Sequence, residues 1–124
     1  MPVLPKPAAH THELGGARFT SLATPSLGST DTCVWQVEIA PGTPATPHSL
    51  TREEVFVVLA GQADVRIGDE SGTAGPGDAI VVPADTPFEL SNSGAEPVRA
   101  LCMLPAGGQA RLADGSSFVP PWAR

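Results

Sequence analysis

A chain of 124 residues is one domain's worth, and 41% hydrophobic content with no long polar tract gives a folded core rather than a disordered chain. The net charge of −6, with its seven basic residues scattered, excludes the clustered Lys and Arg that a nucleic-acid or anionic-membrane surface requires. Fourteen prolines and thirteen glycines punctuate the apolar runs, and an interior proline costs a helix about 3 kcal/mol, so no long helix is expected.

In chain order, residues 1–16 carry Pro2, Pro5, Pro7 and the pair Gly15-Gly16, which predicts an extended arm ahead of one barrel domain over 17–124. A first strand is expected over Arg18 to Leu22. Thr32 to Ile39 is a clear strand, with Cys33, Trp35, Val37 and Ile39 alternating against Val34, Gln36 and Glu38. Pro41-Gly42 turns the chain into a short strand through His48 and Leu50. Glu54 to Ala60 is β-branched and aromatic and stops at Gly61, and Ala63 to Ile67 reads as its hairpin partner, closed by a turn over Gly68 to Gly72. Gly75-Pro-Gly-Asp78 is a further turn, followed by strands at Ala79 to Val82, Phe88 to Ser91 and Val98 to Leu104, then an apolar, proline-stiff tail from Phe118 to Trp122. About eight or nine short strands without intervening helices exclude a βαβ architecture and predict an all-β jelly roll or small barrel.

The two cysteines, Cys33 and Cys102, match no zinc or redox spacing and lie in apolar strands, so they read as buried free thiols. No apolar run approaches the roughly 18 residues of a membrane helix, and the N-terminus lacks a secretory apolar core; a cytoplasmic protein is expected. Phosphate-loop, dinucleotide and nucleophile-elbow motifs are absent from the sequence.

Two segments carry the functional signal. In the first, Gly42, His48, Glu54 and Gly61 have the spacing of a glycine, five residues, His-any-His, three residues, a glutamate, six residues and a glycine, with Leu50 at the second histidine. In the second, Gly77, Pro83 and Asn92 fit a glycine, five residues, Pro-any-Gly, two residues, a histidine, three residues and an asparagine, with Asp85 at the glycine and Phe88 at the histidine. The pair resembles the two motifs of the cupin family, and the resemblance spans Gly42 to Asn92, extended by the strand pattern to about Leu104. It implies the double-stranded β-helix, or jelly-roll, barrel. In metal-binding cupins the four inward positions converge on one divalent ion, a donor set suited to iron, manganese, nickel, copper or zinc. Here the set is His48, Leu50, Glu54 and Phe88.

Two readings of that set follow. His48 and Glu54 form a hydrogen-bonded acid–base pair in a metal-free pocket, the state favoured by two apolar replacements. Alternatively they are half of a metal site, completed by His10 and His12 of the arm, whose i, i+2 spacing points both the same way on an extended chain. The expected pocket walls are Leu50, Phe56 and Phe88, with Trp35 or Gln36 and Ala79 or Ile80, since facing is ambiguous for those pairs. The expected function is binding of a small organic molecule, with acid–base or metal-assisted chemistry at His48 and Glu54. The alternatives are a divalent-metal dioxygenase or isomerase, and a non-catalytic sensor or interaction module. A homodimer is the expected assembly.

Overall fold

The structure, a computed structural model, describes residues 3–124; the first two residues of the predicted arm lie outside the described residues. Among the described residues the strands are β1 (His12–Leu14), β2 (Ala17–Ala23), β3 (Thr32–Ile39), β4 (Ser49–Leu50), β5 (Glu54–Ala60), β6 (Ala63–Ile67), β7 (Glu70–Ala74), β8 (Ala79–Val82), β9 (Phe88–Ser91), β10 (Val98–Pro105), β11 (Ala110–Arg111) and β12 (Ser117–Phe118). Helix is confined to two single 3-10 turns, Pro25–Leu27 and Pro121–Ala123, and no described helix is long and apolar enough to cross a membrane.

All pairings are antiparallel. One six-stranded sheet runs β1-β2-β3-β10-β5-β8, and two three-stranded sheets, β12-β11-β4 and β7-β6-β9, are joined by an antiparallel bridge between His48 and Phe88. The result is a jelly-roll β-barrel. Its inner lining follows from side-chain alternation. Cys33, Trp35, Val37 and Ile39 of β3, Val98, Ala100, Cys102 and Leu104 of β10, and Glu54, Phe56 and Val58 of β5 are all buried. Burying an aromatic such as Phe56 or Phe88 contributes roughly 1.5–3 kcal/mol, so a one-residue slip in any of these strands would be heavily penalised. Among these strands only β5 carries a charged residue inward, at Glu54.

The structure corrects the expected hairpin of β5 with β6. β5 pairs with β10 and β8, whereas β6 pairs with β7 and β9. Gly61 is where the chain leaves one sheet for the other. It has φ +80°, and a side chain there would collide with the Pro97 carbonyl, so the crossing requires glycine. The segment read as a turn over Gly68 to Gly72 is a tight turn leading directly into β7. That edge strand is exposed along four of its five residues and therefore has no apolar alternation to detect. The end of the predicted arm is also paired, as β1 on β2.

Asp85 occupies the glycine position of the second motif and adopts φ +59°. Aspartate tolerates this left-handed conformation better than most side chains, and the Asp85 amide donates to the Leu50 carbonyl at 2.7 Å. Asn92 is buried and fastens the loop behind it: its Nδ2 donates to the carbonyls of Ile39 and Glu96, and its Oδ1 accepts from the Gly94 amide.

Candidate functional site

The barrel holds a cavity of about 510 Å³ between the six-stranded sheet and the opposite wall. Trp35, Val37 and Ile39 from β3, Glu54 and Phe56 from β5 and Cys102 from β10 line one side. His48, Leu50, Phe88, Leu90 and Ala110 line the other. Trp35 rather than Gln36 faces inward. Ile80 rather than Ala79 is buried, though it packs in the core and not on the cavity. Phe88 stands between two other residues of the site, with ring centroids 4.4 Å from His48 and 6.0 Å from Phe56.

Glu54 is the chemical centre of this cavity. It is 4% exposed and lies in a wall of apolar and aromatic groups. Burial pushes its carboxyl up to about 8, with no cation or hydrogen bond acting to lower it. It is therefore a neutral carboxylic acid at pH 7, able to donate a proton into the cavity. The Cys102 thiol is held well above its ordinary range, first by burial and then by the Glu54 charge, against a smaller opposing effect of the Trp35 indole N–H. Such a thiol is not a nucleophile at neutral pH.

His48 does not pair with Glu54, which corrects the expected hydrogen-bonded couple: no imidazole nitrogen lies within 4.0 Å of a Glu54 carboxyl oxygen. Its Nδ1 instead donates to the Thr46 carbonyl at 2.9 Å, which fixes the proton on Nδ1 because a carbonyl only accepts. The two side chains share a cavity without sharing a proton.

His10 and His12 do not join them either. His10 Nε2 lies 3.7 Å from Glu13, while His12 Nδ1 is 2.9 Å from Thr11 Oγ1 and its ring meets the edge of Trp122. Neither lines the cavity. Among the described residues no group of three or more His, Cys, Asp or Glu side chains is placed to hold a metal ion. One imidazole and one separated carboxyl, facing Leu50 and Phe88, do not form the donor set a divalent ion requires.

The mouth of the cavity is built from segments the motif does not reach. Leu14, Gly15 and Gly16 of the β1–β2 turn, Pro44 and Thr46, and Leu112 and Phe118 of the β11–β12 hairpin are exposed lining residues. Trp122 closes this end by stacking on Phe19, with ring centroids 3.6 Å apart and planes 6° from parallel. The tail is tied down by Ser21 Oγ donating to the Trp122 carbonyl at 2.7 Å, Ser26 Oγ to the Arg124 carbonyl at 2.7 Å and Cys33 Sγ to the Ala123 carbonyl at 3.3 Å. Sequence reasoning missed Cys102, Phe19 and Trp122 as cavity residues. Alternation with Ala100 and Leu104 would have placed Cys102 inward. Nothing local in the sequence marks where the tail folds back.

A family model described as a cupin domain matches residues 35–104. The chain belongs to the cupin family. No curated protein matches this cupin by sequence. Among solved structures it is similar to the polyketide cyclase RemF from Streptomyces resistomycificus, at 21% identity and a TM-score of 0.75 over 94% of this chain and 82% of that one. It is also similar to the plu4264 protein from Photorhabdus luminescens, at 27% identity and a TM-score of 0.66 over 77% of this chain and 78% of that one. A putative ethanolamine utilization protein Q from Salmonella typhimurium aligns at 23% identity with a TM-score of 0.63, over 76% of each chain.

Proposed function

We propose that this cupin binds a small, largely apolar organic molecule in its barrel and presents it to Glu54, which holds or delivers a proton. The observation that carries this reading is the lone carboxyl of Glu54, buried without a partner in a cavity of about 510 Å³ walled by aromatic rings. Holding a carboxyl among apolar walls is costly, and a ligand group facing it supplies a partner. The cavity volume lies within the range of drug-sized ligand sites. A barrel of the same fold serves a polyketide cyclase in RemF, in keeping with an organic ligand here. His48, nearer the mouth, orients the bound molecule in this reading, and Leu50 and Phe88 fill the positions of the missing ligands with apolar wall.

Both tryptophans of the chain, Trp35 and Trp122, line the cavity, so intrinsic fluorescence reads its occupancy directly. Titration with a neutral bicyclic ketone such as α-tetralone is expected to quench that fluorescence and raise the melting temperature. A flat response to the solubility limit in both measurements would end this reading.

We also propose that the cupin is a homodimer formed through the outer face of its large sheet. The outward residues Val34, Met103, Val55 and Val81 align in one row across four strands, and Leu101, Val57 and Ala79 continue it in the next. Val81 is 52% exposed. An antiparallel sheet normally turns polar residues to solvent on its outer face, so this patch is suited to self-association. Light scattering at micromolar concentration should give twice the chain mass, and Met103→Glu should halve it. A monomeric mass for the unaltered chain would contradict the proposal.

A further inference from the structure

The cavity offers a cationic ligand group both acceptors and aromatic rings. No lysine or arginine lines it. With the Nδ1 proton committed to the Thr46 carbonyl, His48 has Nε2 left for other partners, an acceptor in the Nδ1-protonated tautomer. Thr43 gives its hydroxyl proton to the Ala40 carbonyl at 2.7 Å, leaving lone pairs. Glu54 completes the set as a carboxyl with no cation near it. Around these acceptors stand Phe19, Trp35, Phe56, Phe88 and Trp122, whose ring faces attract positive charge.

We infer that the ligand of this cavity is an organic amine bound as its ammonium ion, with the Glu54 carboxylate as counter-ion and the aromatic walls as a second source of attraction. The inference rests on the proposed reading of the cavity as a ligand site and adds the charge class of the ligand. The proton balance is closed. A free amine takes the Glu54 proton as it binds, and an amine that arrives already protonated displaces that proton to solvent. Either route ends with one ammonium beside one carboxylate, the arrangement that offsets the burial of each. A carboxylate ligand meets no cation here and is repelled once Glu54 ionises. A neutral alcohol leaves the acceptors without a charged partner. The chain's net charge of −6 acts in the same direction by attracting cations from solution.

The test is isothermal titration of the intact protein at pH 7 with two matched sets: tryptamine, tryptophol and indole-3-propionate, then hexylamine, hexanol and hexanoate. Within each set the amine is expected to bind at least about tenfold more tightly than the alcohol, with the carboxylate weakest. In Glu54→Gln that preference should vanish while affinity for the alcohol persists, which also shows that the variant is folded. If the alcohols bind as tightly as the amines in both sets, the amine inference is overturned and the cavity reading stands. If none of the six compounds binds, the cavity reading falls and the inference with it. An amine preference that survives unchanged in Glu54→Gln would also overturn it, by removing the counter-ion.

Discussion

The deep wall of the cavity and its mouth are built by different means. Trp35, Glu54, Phe56 and Cys102 sit on three adjacent strands whose backbones are paired along most of their length, with Cys102 opposite both Trp35 and Phe56. Their directions are set by alternation, and little of the wall can shift without breaking sheet. The mouth is made of a two-residue strand pair, a turn and a tail held by three side-chain hydrogen bonds and one ring stack. The deep wall is therefore the fixed, chemically committed part. The mouth is the part that can open at small free-energy cost.

At the deep wall the strongest pH dependence comes from Glu54. Its folded value of about 8 stands above the ordinary 4.5 of an unfolded chain, so the folded state binds the extra proton between those limits. Its contribution is fully favourable below about pH 4.5, and stability falls by about 1.4 kcal/mol per pH unit as pH rises toward 8, then levels. Urea unfolding of the native chain should show that slope, and Glu54→Gln should flatten it and be the more stable protein at pH 8. Equal slopes in the two proteins would mean that Glu54 is solvated.

At the mouth, Trp122→Ala removes the stack on Phe19 and should lower stability by about 2 kcal/mol, judged from the burial and stacking of a partly buried indole. Faster exchange of bound ligand, read by stopped-flow fluorescence of Trp35, should accompany it. A smaller effect, about 1 kcal/mol, is expected of Ser21→Ala, which removes the hydrogen bond to the Trp122 carbonyl. If both variants leave ligand exchange unchanged, the tail is not part of the entrance. Arg111→Ala breaks a 2.9 Å contact to Asp85 between side chains that are at least half exposed. Urea unfolding should show its free energy of unfolding changed by less than about 0.5 kcal/mol.

The same division decided what the sequence could reveal. β3, β5, β8 and β9 lie at their expected residues because alternation or dense β-branched content marks them. Gly42, His48, Glu54, Gly61, Gly77, Pro83 and Asn92 carried the family through their spacing alone. β7 and the two-residue β11 and β12 were not legible: the first turns nearly all its side chains to solvent, and the others are too short to show a period. The hydrogen-bonded His48–Glu54 pair was a reasonable expectation from two inward-facing neighbours. The structure keeps the two side chains apart and bonds the His48 ring to the Thr46 carbonyl, two residues back, instead. The arm histidines failed for a related reason. β1 hydrogen-bonds the arm along β2 and sets the His12 ring beside Trp122, outside the cavity.

Glu54 stands neutral and unpartnered inside the barrel. The direct measurement is a pH titration of the Glu54 side-chain carboxyl carbon by 13C NMR, assigned by its loss in Glu54→Gln. A midpoint near 8 is expected, with the acid form at pH 7. A midpoint near the ordinary carboxylate value of 4.5 would contradict it.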